Sequence, residues 1–566
     1  MYFRKKTSAG RSYLQIVESR RDGDQVRQQV IATLGRFEAL QASGQLERLL
    51  RSGARFAEKA MVLGAIQDDA ALTATVRHIG PALVFERLWE ETGCRAVIEE
   101  LAGARKHGFA LERAVFLTVL HRLMGGGSDR AAERWREDYR IAGMADLELH
   151  HLYRAMAWLG EELPASEQDG RTPFAPRCLK DLVEERLFAQ RRDLFTRLDL
   201  VFMDTTSLYF EGEGGQTLGR RGYSKDHRPD LKQMILAVLI DDDGRPVCSE
   251  MWPGNTTDVT SLVPVVDRLS RRFSIGRICI VADRGMISAE TIAALEARGL
   301  LYILGVRERS DKLVREVVLA DDAPFVPLAM AKRNKETDYG AKAVMLGKQR
   351  YIVCVNHQEA AKDAAERQSI LASLARQLKK GDKALVGNTG PHGELLSNHR
   401  RFLMTEGSGH FAIDRAKAEE DAKLDGIFVL RTNTDLNPLH AMLRYKQLTS
   451  VEQTFRTEKH LFATRPIFHK LDETIRGHVA CSFLALVLKA ELEERIDGPK
   501  STVKGPRRGA WPEILADLDS LTETLIEQDG KRFLVRSAPR PAASLALRAA
   551  GVALPPTVRS AADTDA

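Results

Sequence analysis

The chain has 566 residues, of which 44% are hydrophobic and 29% are charged, and its formal net charge at pH 7 is +6. This length predicts two to four domains, because one hydrophobic core rarely grows so large, and the apolar content excludes bulk disorder. The longest apolar run, VACSFLALVL at 479–488, is too short for a membrane span, which needs about 20 residues, so we expect no membrane association.

The N-terminal segment concentrates the positive charge. Residues 1–60 hold 12 basic and 6 acidic residues. Apolar and polar residues alternate on both sides of an Asp22-Gly23 turn within 12–36, which predicts a β-hairpin. A basic hairpin arm over 1–60 fits a polyanionic partner, although a solvated charged face would have the same composition.

The spacing of apolar residues predicts a helical domain at 61–195. LERAVFLTVLHRLM is followed by three glycines and by Ser128, a good N-cap for the next helix. Two helices joined by a glycine turn can form a helix-turn-helix motif that binds DNA. The same pattern is typical of plain bundle packing, and nothing in the sequence marks a recognition helix.

The rest of the chain predicts a mixed α/β sheet that is interrupted once. Short apolar strands alternate with helical stretches between 196 and 307, and strand character resumes at 425–433 after a charged segment. The six cysteines show no CxxC spacing, which argues against a zinc site and predicts a reducing cytoplasm. The predicted segments are the first part of the core at 196–307, a β-rich insertion at 308–425, the second part of the core at 426–495, and a C-terminal segment, ordered only in part, at 496–566.

Three carboxylates stand where a site could form. Asp204 lies within the run LDLVFMDTTSLYFE and Asp283 closes the strand of RICIVADRG, although a strand-end aspartate also commonly caps a turn. Glu452 belongs to a predicted helix in which Tyr445, Glu452 and Lys459 recur every seven residues and so share one face. Converging carboxylates repel one another unless a divalent cation binds them, and ligands with oxygen atoms alone favour magnesium or manganese over zinc.

The order of these elements resembles the DDE transposases of bacterial insertion sequences, in the insertion-sequence-four superfamily. The helix signature of that family is Tyr, Arg, Glu and Lys; Tyr445, Glu452 and Lys459 match it, and Leu448 stands in place of the arginine. Arg456 is one of the nearby residues that could supply a cation instead. Five blocks look like blocks of the family and follow its order: GYSKDHRPDLKQ (222–233), PGNTTD (253–258), VADRG (281–285), VEQTFRTEK (451–459) and RPIFH (465–469).

The resemblance implies an RNase H-like mixed sheet as catalytic core, with a β-rich insertion, preceded by the basic β-hairpin and the helical domain. It implies metal-dependent DNA strand cleavage and strand transfer with Mg²⁺ or Mn²⁺. The implied catalytic and metal-binding residues are Asp204, Asp283 and Glu452. The implied DNA-binding residues are Tyr445, Arg456, Lys459 and Arg465.

The expected partners are double-stranded DNA, as terminal inverted repeats and as target DNA, and a second copy of the chain on that DNA. The expected location is the bacterial cytoplasm, in association with the nucleoid. Two other interpretations share these features. One is an RNase H-like metal nuclease without strand transfer, and the other is a catalytically inactive DNA-binding regulator derived from a transposase.

Overall fold

The computed structural model divides into two compact units. One combines Met1–Val84, Glu137–Ile141 and Thr502–Ala566, and the other combines Phe85–Arg136 and Ala142–Ser501. No helix among the described residues is long and apolar enough to cross a membrane. The structure describes residues 2–8, 10–22, 25–54, 73–172, 175–191, 200–226, 228–241, 243–273, 279–283, 288–306, 311–332, 335–378, 400–406, 410–448, 457, 464–497, 510–528 and 531–561.

A three-stranded antiparallel sheet begins the chain, with strand order β1-β2-β3. Strands β2 and β3 pair where the alternation predicts a hairpin, and β1 pairs with the other edge of β2. The sequence YFRKKTS of β1 has no apolar alternation, because an edge strand can carry charged side chains. The first elements are β1 (Tyr2–Ser8), β2 (Arg11–Asp22), β3 (Gln25–Arg36), α1 (Phe37–Ala42), α2 (Gln45–Ala54) and β4 (Thr73–His78).

Six helices follow in the described part of the chain. The two on either side of the glycine turn, Leu111–Met124 and Asp129–Trp135, pack as part of a helical bundle. Ser128 caps the second helix of this pair by accepting a hydrogen bond from the backbone N–H of Ala131 at 3.2 Å. The first is buried from Leu111 to Leu123 except at Arg113, and a helix buried in this way cannot enter a DNA groove. The helices are α3 (Gly80–Glu91), α4 (Cys94–Ala102), α5 (Leu111–Met124), α6 (Asp129–Trp135), α7 (Leu149–Leu159) and α8 (Leu179–Arg191).

A nine-stranded mixed sheet forms the centre of the second unit. Its first part begins with an antiparallel meander and continues through two crossover helices, so that the first, fourth and fifth of these strands are parallel. The elements of this part are β5 (Leu200–Tyr209), β6 (Gln233–Ile240), β7 (Pro246–Pro253), α9 (Asp258–Phe273), β8 (Cys279–Ala282), α10 (Ala289–Ala297) and β9 (Leu301–Gly305).

The remaining strands of this sheet come from the second half of the unit. The elements are β10 (Val326–Lys332), β11 (Lys335–Leu346), β12 (Gln349–Asn356), α11 (His357–Leu378), β13 (Leu403–Glu406), β14 (His410–Ile413), α12 (Arg415–Ala422), β15 (Ile427–Thr432), α13 (Pro438–Lys446) and α14 (Asp472–Asp497). The strand order across the sheet is β10-β11-β12-β15-β9-β8-β5-β6-β7, and β13 and β14 pair separately.

The expectation that residues 308–425 form an insertion separate from the core is wrong for strands β10 to β12, which extend the central sheet beyond β15. The sequence hides this pairing, because alternation shows that a segment is a strand but does not tell which sheet the strand joins. The 22-residue helix α11 lies in the same segment, where the amphipathic run AAKDAAERQSILASLARQLKKG predicts a helix.

The C-terminal segment is more ordered than its composition predicts. Its strands join β4, which lies within the segment predicted to be helical, in a four-stranded sheet of order β18-β17-β16-β4. Ala542, Ala543 and Ala546 are buried, so the Ala-rich sequence packs a helix closely. The elements are α15 (Trp511–Asp519), β16 (Thr522–Gln528), β17 (Lys531–Arg536), α16 (Pro541–Ala549) and β18 (Val558–Ser560).

A buried ion cluster fastens α8 and α9 to the edge strand β7. Asp181 lies at its centre, with Lys180 Nζ at 2.8 Å and Arg268 Nη2 at 2.5 Å from its two carboxylate oxygens. Burial alone would raise the pKa of Asp181, but the charges of the neighbouring lysine and arginines lower it well below its ordinary value. The members of the ion cluster are Lys180, Asp181, Glu184, Glu185, Glu250, Arg268 and Arg272.

Replacing Asp181 should destabilise the fold strongly. We expect Asp181→Asn to lower the free energy of unfolding by about 3–5 kcal/mol, because it removes the buried carboxylate that contacts both Lys180 and Arg268. Urea unfolding followed by circular dichroism measures the change. Asp267 is the control, since its ion pair with Arg298 is open to solvent, and Asp267→Asn should cost less than about 1 kcal/mol. Equal losses for the two variants would contradict this account of the cluster.

Candidate active site

Asp204 lies on β5, and Asp283 directly follows the last residue of the neighbouring parallel strand β8. Met203 of β5 is paired with Ala282 of β8, so each aspartate follows a residue of this pair. Adjacent strands lie about 4.8 Å apart, and residues in register point to the same face. Asp283 is exposed and Asp204 is partly exposed. The sheet therefore forms an aspartate pair, Asp204 and Asp283, at the point where β8 ends.

The third parallel strand continues the same row across the sheet. Ala282 is paired with Leu304 of β9, so Gly305 follows in register with Asp283. The hydroxyl of Tyr445, on α13, donates a hydrogen bond to Asp283 Oδ1 at 2.8 Å. The family resemblance predicts that Tyr445 flanks the DNA or packs beneath it. The sequence gives no sign of a role for Gly305 beyond the glycine that ends the strand LYILG.

A segment between β5 and β6 lies against the strand that carries Asp204. Lys225 Nζ donates to the backbone oxygen of Thr205 at 2.8 Å and to its hydroxyl oxygen at 2.7 Å. The backbone N–H of Lys225 also donates to Ser207 Oγ at 2.9 Å. These bonds hold a cation beside the residue that follows Asp204. Lys225 is not among the site residues predicted from the sequence, although the block GYSKDHRPDLKQ contains it.

Arg465, one of the expected DNA contacts, is engaged within the protein. It forms an ion pair with Asp226, and its side chain is 16% exposed. The backbone N–H of the nearby Ile467 donates to the carbonyl oxygen of Tyr209 at 3.1 Å, at the end of β5. The loop that carries Arg465 is thereby held against the strand of Asp204.

Three expected site residues lie outside the described residues, namely Glu452, Arg456 and Lys459. Helix α13, which carries Tyr445, has its last residue at Lys446, and Glu452 follows six residues later in the chain. Their placement relative to the aspartate pair stays a prediction.

The aspartate pair fits a divalent cation by the chemistry of its donor atoms. Two carboxylates on one face of adjacent strands offer oxygen ligands, and like charges at this spacing favour a bound cation. Oxygen ligands suit Mg²⁺ and Mn²⁺ better than zinc. A third carboxylate, from Glu452, would complete the set that the sequence predicts.

A second cluster, Asp129, His469 and His478, also brings together groups that can bind metal. Their potential ligand atoms lie within 4.8 Å of one another. His478 Nε2 lies 3.0 Å from the carbonyl oxygen of Thr464, which leaves Nδ1 as the acceptor, and Arg122 Nη2 lies 2.9 Å from Nδ1. A guanidinium on a would-be ligand nitrogen opposes a divalent cation, so we interpret this cluster as a buried hydrogen-bond network.

Comparisons with known proteins identify the family. Residues 196–488, more than half of the chain, match the transposase DDE domain, and the chain therefore belongs to the DDE transposases. Residues 3–69 match the N-terminal domain of IS1634 family transposases, which places the enzyme in an insertion-sequence family. The search of curated proteins finds no match.

Two solved structures resemble this chain distantly. One is a piggyBac transposase synaptic complex with hairpin DNA, at 11% identity, covering 78% of this chain and 79% of that chain with a TM-score of 0.36. The other is the Mos1 mariner paired end complex with Mn, at 12% identity, covering 46% of this chain and 76% of that chain with a TM-score of 0.14.

The histidine network predicts that acid destabilises the protein. Burial, with the charge of Arg122, lowers the pKa of His478 well below its ordinary value, and burial lowers the pKa of His469 as well. Below about pH 6.5 the unfolded chain takes up protons that the folded chain does not, so stability falls as pH falls, by up to about 1.4 kcal/mol per pH unit for His478.

Urea unfolding between about pH 7.5 and pH 5.0 tests this expectation. His478→Gln should reduce the dependence of stability on pH by about one histidine's share. Ser482→Ala is the control, because it removes a hydrogen bond of the same network, from Arg122 Nη1 at 3.1 Å, without removing a titrating group. It should lower stability by a similar amount at every pH, and an unchanged slope in His478→Gln would refute the prediction.

Proposed function

We propose that this transposase cleaves DNA strands at the ends of an insertion sequence and transfers those ends to target DNA. The observation that carries the proposal is the register of β5 and β8, in which the paired residues Met203 and Ala282 are followed by Asp204 and Asp283. The meander β5–β6–β7, continued by the parallel strands β8 and β9, supports an RNase H-like core.

Asp204, Asp283 and Glu452 would hold Mg²⁺ or Mn²⁺. The chemistry that these ions supply when bound is activation of a water or a DNA 3′-hydroxyl and stabilisation of charge on the departing oxygen. The protein's own part is to keep the carboxylates in place. The β5–β8 register does this for the aspartates, and the bonds of Lys225 hold the chain after Asp204.

Contacts with DNA phosphates are proposed for Arg456 and Lys459, which follow Glu452 closely in the sequence. The basic residues 1–60 would add attraction for double-stranded DNA without reading its sequence. We propose that two copies of the chain act together, because transposition needs both terminal inverted repeats. The site of action would be DNA of the nucleoid in the bacterial cytoplasm.

One experiment separates this proposal from its two alternatives. Purified protein is incubated with Mg²⁺, a linear DNA carrying the inverted repeats that flank its gene, and a supercoiled target plasmid. Cleaved ends that become joined to the plasmid support transposition. Cleavage without joined products favours a metal nuclease, and binding without cleavage favours an inactive regulator.

The carboxylates should be needed for chemistry and not for binding. We expect Asp204→Asn, Asp283→Asn and Glu452→Gln each to abolish cleavage while DNA affinity stays the same or rises, because each removes a negative charge near phosphates. Filter binding and the cleavage assay are run side by side. Asp267→Asn, an acid-to-amide change at a partly exposed position on α9, should leave both unchanged. Cleavage by any of the three variants would refute the assignment of that residue.

Lys459 should show the opposite behaviour. A lysine that contacts a phosphate does not distinguish between bases, so Lys459→Ala should weaken DNA binding about equally on all sequences. It should also reduce the slope of the logarithm of affinity against the logarithm of salt concentration by the share of about one phosphate contact. Filter binding across a salt series measures this. Lys348, exposed in the turn between β11 and β12, is the control, and Lys348→Ala should leave the slope unchanged. A wild-type slope in Lys459→Ala would show that this lysine does not touch DNA.

A further inference from the structure

Tyr445 approaches the aspartate pair from helix α13 and contacts Asp283 through its hydroxyl group. The hydroxyl donates to Asp283 Oδ1 at 2.8 Å. A phenol that donates to one carboxylate oxygen restricts the rotation of that carboxylate and aims the remaining lone pairs at a cation. This matters most for Asp283, because it is exposed and stands just past the last residue of β8.

Gly305 makes the space that this hydroxyl occupies. A Cβ atom built at Gly305 would lie 2.2 Å from Tyr445 Oη and 2.9 Å from its Cζ. Any side chain at this position would therefore displace the phenol. Gly305, on β9, is the third residue in the row with Asp204 and Asp283 and has no side chain. The phenol of Tyr445, from α13, occupies the space above it.

The ring of Tyr445 is also held by a neighbouring ring. It stacks on Phe428 of β15, with ring centroids 6.2 Å apart and an angle of 20° between the planes. The next residue, Lys446, places its Nζ 3.5 Å from the centroid of Tyr339 on β11. Contacts with β9, β11 and β15 thus hold the end of α13, and with it the ring of Tyr445, on the sheet.

We propose that Tyr445 is a positioning residue that orients Asp283 for metal binding. The proposal rests on the proposed function, because it assumes that the aspartate pair binds Mg²⁺ or Mn²⁺. It is a role in addition to the DNA contact that the sequence resemblance implies for Tyr445. Hydrogen-bond partners of metal ligands typically change metal affinity by about 10-fold to 100-fold when they are removed.

Binding of Mn²⁺ to the full-length protein without DNA, measured by isothermal titration calorimetry, tests the proposal directly. Tyr445→Phe keeps the ring and removes only the hydroxyl, and it should weaken Mn²⁺ binding by about 10-fold or more. Gly305→Ala keeps the hydroxyl but displaces it, so it should weaken Mn²⁺ binding in the same direction.

Tyr302→Phe is the matched control. Tyr302 lies near the start of β9, and its hydroxyl donates to Glu296 Oε1 at 2.6 Å, so this variant removes a bond of the same type away from the aspartate pair. It should leave Mn²⁺ affinity unchanged. Melting curves of all variants establish that each one is folded.

The outcomes separate the two proposals. Normal Mn²⁺ affinity in Tyr445→Phe overturns the positioning role if Asp283→Asn still loses Mn²⁺ binding. If Asp283→Asn also binds Mn²⁺ normally, the aspartate pair is not a metal site and the proposed function fails with it. Weakened Mn²⁺ binding in both Tyr445→Phe and Gly305→Ala supports the positioning role.

Discussion

The pairing of β5 with β8 is the constraint on which the site depends. The two strands are parallel and separated in the chain by a hairpin and a helix, and only the pairing of Met203 with Ala282 brings the aspartates into one row. A slip of one residue would turn one carboxylate to the opposite face of the sheet. Phe202 and Met203 of β5 and Val281 and Ala282 of β8 are buried, which makes such a slip costly.

Helix α13 connects this row to the second half of the core. Its N-cap, Asn437, accepts a hydrogen bond from the backbone N–H of His440, and Tyr445 then crosses Gly305 to reach Asp283. The helix thus starts at a defined position and touches the pair directly. The chain that leads to Glu452 leaves from a point already fixed relative to Asp283.

The sequence predicts the local features of this site well. Asp204 and Asp283 stand out because each interrupts or ends an apolar strand, and the crossover helices between strands indicate a mixed sheet. The sequence does not predict which distant strands meet. The joining of β10–β12 to the central sheet and the pairing of β4 with β16 arise from long-range contacts that leave no mark on local alternation. The fit of Tyr445 over Gly305 is hidden for the same reason.

The ion cluster also bears on where this enzyme can be divided. The match to the transposase DDE domain begins at residue 196, whereas α8, which precedes that boundary, supplies Lys180, Asp181 and Glu184 to the cluster. Their partners Arg268 and Arg272 lie inside the matched region. A fragment that begins at the boundary of the sequence family would expose arginines that are buried in the intact protein. The region that matches the sequence family is therefore smaller than the unit that folds. Any exchange of segments between transposases would have to include α8 together with the catalytic sheet.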